Sequence, residues 1–388
     1  MVNSSILKTK NIMLYGAPGV GKTHNYKRLI SMIENGENEQ MIFSTIANNS
    51  ITNEQYQDTF ETIKKEKRIE FVTFHQSYSY EDFIEGFRPN ENGEIKLEDG
   101  IFKTLANNAE INLLKSQDNK EVLFVEALNI LLKEKIENEE KVRIQLKRKD
   151  SYFDIYDFND KTIYFKKQNG DPTHTLSIKT LEKMYYEGQN NIIQGGLAVY
   201  YNPLLEELLK LKNKVDGKAQ EQKNFYIVID EINRGNISKI FGELITLIEE
   251  DKRDNYEVTL PYSKEKFKIP SNLYILATMN STDKSIATID IALRRRFTFL
   301  KMQPNENLID YTPARTLFNK LNKFIAENLN EDYKLGHSYF MKVTNDQELE
   351  FVKEYKIKPL LEEYFYVDPK KLQNVLDMLN AKTEYEVE

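Results

Sequence analysis

Residues 11–23 read NIMLYGAPGVGKT. An apolar run, Ile12 to Tyr15, leads directly into Gly16-Ala17-Pro18-Gly19-Val20-Gly21-Lys22-Thr23, then into HNYKRLISMI, where Leu29, Ile30 and Ile33 recur at helical spacing. The reading is strand, glycine loop, helix, and every fixed position of G-x-x-x-x-G-K-[ST] is present. Glycines stand where a Cβ would collide with phosphate oxygens, so that backbone N–H groups can curl around a triphosphate. The following helix aims its positive end at the same anion. Lys22 is placed to reach the β and γ phosphates and Thr23 to ligate Mg²⁺, with His24 one step along the helix. A ligand-free glycine turn is the bland alternative, and the flanking strand and helix weigh against it.

Working outward, the 388 residues exceed one ordinary core, which predicts two domains or one domain with an insertion. A net charge of −7 gives no global attraction to nucleic acid, although a local basic face remains compatible with it. Cysteine is absent, which excludes disulfides, thiolate zinc sites and cysteine nucleophiles. The four histidines (His24, His75, His174, His337) are scattered, an arrangement that argues against a histidine metal site. Residues 1–10 lack a signal-peptide core and no run approaches a membrane span, so a cytoplasmic location without membrane contact is expected.

The second nucleotide signature is Phe225-Tyr-Ile-Val-Ile229-Asp230-Glu231. Five apolar residues ending in two acids describe a central parallel strand whose tip delivers carboxylates to a ligand crevice. Asp230 would hold Mg²⁺ through water, and Glu231 would orient and polarise the attacking water. LYILATM (273–279) predicts a further buried strand, and Asn280 at its tip can bond the γ-phosphate or that water. Ordinary turn chemistry of Asn280-Ser-Thr-Asp283 is the alternative. Next comes a helix closing in Arg294-Arg295-Arg296. The helix dipole accounts for one of these; three ask for anions, best met in trans at a neighbour's γ-phosphate. That use requires an oligomer.

Thr23 and Asp230 stand 207 positions apart, far more than a βαβ unit needs. Short strands are expected at Met41 to Ile46 and Ile69 to Phe74, and a hairpin within 75–106 around the Asn92-Gly93 and Asp99-Gly100 turns. Residues 107–222 read as an inserted α+β segment: a helix from Val122 to Ile136, a strand over 141–146, and a hairpin from 152–158 and 162–165. KVRIQLKRK (141–149) holds five bases and no acid, followed closely by Tyr152, Phe153, Tyr156 and Phe158. Bases beside aromatics suit a nucleic-acid groove. The segment as a whole carries 18 Lys/Arg against 19 Asp/Glu, so one solvated strand face and one core face is the reading adopted. Beyond it a helix over 236–250 and a hairpin over 256–269 are expected. Residues 302–388 carry helical patterns (314–329, 348–365, 369–379) interrupted by LGHSYF, where His337 and Ser338 either touch nucleotide or satisfy a turn.

The order of phosphate loop, long gap, acidic strand tip, Asn-tipped strand, arginine cluster and helical lid resembles that of AAA+ ATPases carrying a strand insertion near their second helix. FHQSYSYEDFIEGF, IDEINRGNISKIFGE, MNSTDKSIATIDIALRRRF and LGHSYF are similar to the motifs of McrB, the GTP-hydrolysing motor subunit of McrBC modification-dependent restriction systems. The resemblance covers roughly residues 10–106 and 224–366. It implies an α/β fold of AAA+ P-loop type, with a central parallel sheet. The core would comprise 1–106 and 223–301, interrupted by 107–222, with the helical lid at 302–388. It further implies GTP (or ATP) and Mg²⁺ as cofactors, a homo-hexameric ring, a McrC-like nuclease partner, and translocation of modified double-stranded DNA. Asn280 and Asp283 fall in the family's M-N-x-x-D-[RK] signature, Asn233 falls at the subunit interface facing the activating partner, and Arg295 and Arg296 are the trans arginines. GTP preference rests on the resemblance, because Asn280-x-x-Asp283 has a guanine-reading spacing but the wrong place for it. Family members commonly carry a DNA-recognition domain ahead of the motor, whereas about ten residues precede the first strand here; recognition is expected in 107–222 or on another chain. Nuclease signatures are missing beyond fragments at Glu94-Ile-Lys96 and Glu354-Tyr-Lys356, so cleavage is expected elsewhere. An alternative of another class is a MoxR-like ATPase that remodels a protein client.

Overall fold

A computed structural model describes residues 8–48, 56–89, 95–117, 124–133, 136, 141–148, 150–159, 161–170, 174–187, 196–212, 221–282 and 291–381. It divides into two compact units, 1–106 with 224–388, and 107–223.

The first unit is built on a five-stranded parallel sheet in the order Thr298–Lys301, Asn11–Gly16, Leu273–Asn280, Phe225–Asp230, Ile69–Thr73. Its central strands are buried along nearly their whole length, which is why they read as unbroken apolar runs. The Ile69–Thr73 strand lies at the edge, and Phe71 on it is exposed, so it is less buried than the sequence predicts. One face of the sheet packs on the helix Lys22–Glu34 through Leu29, Ile30 and Ile33. The register sets Gly16 beside Asn280 and Thr73 beside Asp230. Four strand tips therefore meet at one carboxyl edge.

Met41 to Ile46 is helical, within Glu39–Asn48, rather than a strand. Asn38 caps the helix by accepting the Met41 amide at 2.8 Å, and the buried positions Ile42, Thr45 and Ile46 recur at helical spacing. A six-residue apolar run carries too few turns for its period to distinguish the two. The expected helix over 236–250 is α-helical only through Ile237–Phe241; Gly242, at φ +52°, breaks it into a 3₁₀ turn. The hairpin within 75–106 pairs Glu85–Pro89 with Ile95–Asp99, and a helix over Ile101–Gln117, absent from the sequence reading, follows it.

The second unit holds a four-stranded antiparallel sheet, Val142–Gln145, Tyr152–Phe158, Thr162–Lys167 and His174–Ser177. Val142, Ile144, Phe153, Ile155, Ile163, Phe165 and Leu176 point to its inner face and join Leu181, Tyr185, Leu204 and Leu208 of two helices in one core. Alternation thus resolves the strands into a core face and a solvent face. The expected helix from Val122 is described as an α-helical turn, Phe124–Leu128, continued by a π-helical turn, Asn129–Lys133.

The lid contains helices Thr312–Asn328, Asp346–Val352, Lys358–Tyr364 and Pro369–Asn380, the middle two joined by a π-helical turn at Lys353–Ile357. Phe318, Leu321, Leu361, Phe365 and Val375 form its core. Among the described residues no helix is long and apolar enough to cross a membrane.

Candidate nucleotide site

The phosphate loop closes between the Asn11–Gly16 strand and the helix Lys22–Glu34. Gly19 and Gly21 take left-handed backbone angles, φ +78° and +79°, which explains the need for glycine at both. Gly21 caps the helix, its carbonyl receiving the amides of His24 at 3.1 Å and Asn25 at 2.9 Å. Lys22 is buried inside the loop and donates to the carbonyls of Gly16 (3.0 Å) and Ala17 (2.8 Å). Burial lowers its pKa to about 8, against the opposing pull of Glu231 and Asp230.

Thr23 and Asp230, remote in sequence, meet here: the Thr23 hydroxyl donates to Asp230 Oδ1 at 3.3 Å. A hydroxyl and a carboxylate at one point are hard oxygen donors suited to Mg²⁺, which takes few protein ligands and fills its shell with phosphate and water. No cluster of three or more His, Cys, Asp or Glu occurs among the described residues. Glu231 sits at φ +51°, unusual for a residue with a side chain, which turns its carboxylate off the strand axis toward Asn280. Asn280 Nδ2 donates to Glu231 Oε1 at 2.5 Å, and Arg234 Nε lies 3.4 Å from Oε2.

Thr278 escaped the sequence reading. Its hydroxyl donates to Asp230 Oδ1 and accepts the Glu231 amide at 3.2 Å, so one buried side chain locks both acids in position. The available signal was a polar residue in the apolar run LYILATM, two positions before Asn280 and hence on the same face.

The lid reaches the loop through backbone. Gly336 N–H donates to Pro18 O and Ser338 N–H to Gly19 O, both at 3.1 Å. A Cβ on Gly336 would lie 2.0 Å from the Gly19 carbonyl carbon. His337 is buried and accepts the Asn305 amide on Nδ1 at 3.2 Å; burial lowers its pKa to about 4, which keeps it neutral. LGHSYF thus turns against the phosphate loop, its serine backbone bonded to Gly19 and its histidine to Asn305.

Other expected site residues are placed differently. Val20 is buried beneath the loop, and His24 lies on a shallow hollow with Thr23, Tyr26, Lys27 and Phe71. Asn233, expected at a subunit surface, is buried, and its side-chain oxygen has no hydrogen-bond partner among the described residues. The 3₁₀ turn Ile232–Arg234 tucks it inward and leaves Arg234 outward. Arg296 is buried and bonded to Glu249 at 2.8 Å, whereas Arg295, bonded to the same carboxylate at 3.2 Å, keeps 68% of its side chain exposed. The two arginines expected to act alike are therefore unlike. Asp283 lies outside the described residues.

Comparison with known proteins meets this geometry. Residues 187–297 match an AAA domain of the dynein-related subfamily, residues 4–138 match magnesium chelatase subunit ChlI, and residues 313–373 match the alpha-helical lid domain of McrB. The chain is 29% identical over 391 residues to the type IV methyl-directed restriction enzyme EcoKMcrB subunit of Escherichia coli K12, covering 94% of this chain and 56% of that protein. These matches support the chain as an AAA+ protein of the McrB type. It is also 29% identical over 210 residues to the type II restriction enzyme BsuMI component YdiS of Bacillus subtilis 168, covering 47% of this chain and 57% of that protein. The chain spans a little over half the length of both relatives. It has the α/β fold with central parallel sheet and C-terminal lid that its motifs predict, and these resemblances support a nucleoside triphosphatase.

Proposed function

We propose that this chain hydrolyses GTP at junctions between copies of itself in a six-membered ring. Turnover drives translocation of modified double-stranded DNA and activates a separate McrC-like nuclease subunit, in the cytoplasm. The observation that carries the reading is the convergence of Lys22, Thr23, Asp230, Glu231 and Asn280 at one sheet edge. Both relatives named above are restriction components, and the client-remodelling alternative is not favoured.

In this mechanism the backbone N–H groups of Gly19 to Thr23 cradle the phosphates, and Lys22 exchanges its loop carbonyls for β and γ phosphate oxygens. Thr23 and Asp230 would hold Mg²⁺, which neutralises charge developing between the β and γ phosphates. Glu231 orients the attacking water and draws on its proton, while Asn280 fixes the direction of that carboxylate. Thr278 keeps both acids in register. Arg295, exposed beside Glu249, is the arginine offered to a neighbour's γ-phosphate; Arg296 is held inside its own subunit. Roles for Asp283 and Asn233 rest on the family signature alone, as does preference for GTP over ATP.

The test compares GTP and ATP turnover by the purified chain, with and without duplex DNA and a candidate nuclease subunit, alongside mass by light scattering. Expected are GTP turnover, stimulation by the partner and a ring-sized mass with nucleotide and Mg²⁺. A chain that stays monomeric at saturating nucleotide, or turnover indifferent to Arg295→Ala, overturns the reading.

A further inference from the structure

In the unit spanning 107–223, helices cover one face of the antiparallel sheet, and the other face displays rings and cations. Tyr152, Tyr156 and Tyr164 stand half-buried on that outer face, with Arg143 and Lys166 exposed among them. The Arg143 guanidinium lies 3.7 Å from the Tyr152 ring centre, Lys166 Nζ lies 5.3 Å from that of Tyr156, and the Tyr156 and Tyr164 rings are 6.4 Å apart. Asp154 holds Arg143 through both oxygens at 2.8 and 3.0 Å and so fixes the guanidinium plane over the ring, and exposed Asp157 lies opposite Tyr164.

Two observations set this face apart from an ordinary solvated one. The pairing register shifts between Ile155 and Asp157, a bulge that leaves Tyr156 outside the pairing. Tyr156 follows the inward Ile155 and so shares the outer face with Tyr164 and Lys166, and the extra residue brings Asp157, opposite Tyr164, onto that face as well. Charge is the second. Residues 141–167 hold eight Lys/Arg against four Asp/Glu inside a chain of net charge −7, so the bases that balance out over the whole insertion are concentrated on its sheet.

The geometry points to a binding platform for single-stranded nucleic acid: unpaired bases stack on Tyr152, Tyr156 and Tyr164, and Arg143 and Lys166 track the phosphates. Paired bases inside a duplex cannot reach rings lying on a sheet, whereas unpaired bases can, and stacking accepts any base. This goes beyond the proposed function, which takes duplex DNA, by assigning a surface for unpaired nucleic acid; its assay involves no nucleotide hydrolysis, so the two readings fail separately.

The test measures fluorescence anisotropy of a labelled 15-nucleotide oligo-dT and of a 15-base-pair duplex with the full chain, over a salt series and without nucleotide. The wild type is expected to bind oligo-dT more tightly than the duplex. Replacing Tyr152, Tyr156 and Tyr164 together by Ala is expected to weaken oligo-dT binding at least tenfold, and the matching triple change to Phe to hold it within about twofold, because stacking needs the ring and not the hydroxyl. Arg143→Gln with Lys166→Gln is expected to lower the slope of log K against log salt by about 1.4, two single-strand phosphate contacts at roughly 0.7 each. Circular dichroism and GTP turnover of all variants should match the wild type, since none lies in the phosphate loop or the acidic tips. No oligo-dT binding by the wild type, an Ala variant that binds as the wild type does, or duplex binding as tight as single-strand binding would each overturn the proposal. A face that serves a protein partner instead gives the first of these results.

Discussion

Asn280 donates its side-chain amide to the Glu231 carboxylate at 2.5 Å, across two neighbouring parallel strands whose tips end at the same edge. The bond fixes where the negative charge of Glu231 points and leaves it an acceptor. Glu231→Gln is therefore expected to retain nucleotide binding while turnover falls by about 10² to 10⁴, the range for loss of a general base. Asn280→Ala should lower kcat more than it raises KM. Equal binding constants for a fluorescent GTP analogue, set beside steady-state turnover, check both.

Lys22 carries a pH prediction. Its ammonium attracts the triphosphate only while protonated, and burial lowers its pKa to about 8. In the free protein the charged form prevails below that value and is lost above it. Affinity for a non-hydrolysable GTP analogue, and kcat/KM, should accordingly fall as pH rises through about 8. A profile flat from pH 7 to 9.5 would contradict the assignment.

Gly336 probes the contact between lid and loop without backbone strain, because it adopts an extended conformation open to any residue. Its added Cβ would meet the Gly19 backbone at 2.0 Å, and backbone cannot move aside cheaply. Gly336→Ala is expected to raise KM for nucleotide severalfold and to lower thermal stability by about 1 to 3 kcal/mol, the range for overpacking. Calorimetry and kinetics on the one variant read both effects.

His337 in the same turn makes that stability pH-dependent. Its folded pKa, near 4, lies below the ordinary histidine value of 6.5. The neutral histidine therefore contributes its full stabilising share above pH 6.5, and this is lost as pH falls toward 4, because the unfolded chain takes up the proton first. His337→Gln should flatten the acid limb of a plot of Tm against pH.

Arg295 and Arg296 are adjacent in sequence and separable by experiment. Arg295→Ala should abolish most turnover with little change in Tm. Arg296→Ala removes a buried partner of Glu249 and should cost about 2 kcal/mol of stability before any effect on chemistry is read. Mixing Arg295→Ala chains with Lys22→Ala chains should restore partial turnover, since each supplies what the other lacks across a shared junction.

Much of this molecule was legible in its sequence because the sequence states local requirements. A loop that must wrap phosphate needs glycine at left-handed positions, and Gly19 and Gly21 occupy them. A strand buried on both faces must be apolar along its buried length, and Phe225 to Ile229 and Leu273 to Ala277 are. From these alone came the α/β class, the parallel sheet and the list of acids and amides at its edge. Tertiary structure decided what depends on neighbours distant in the chain. Packing against the sheet made Met41 to Ile46 a helix, the 3₁₀ turn after Glu231 buried Asn233, and Glu249 divided two like arginines into one held inside and one exposed. The sequence determined which groups can do the chemistry, because composition and spacing are one-dimensional; only the fold decided which of them meet, because Thr23, Asp230 and Asn280 come together through strand order and register, which no local pattern encodes.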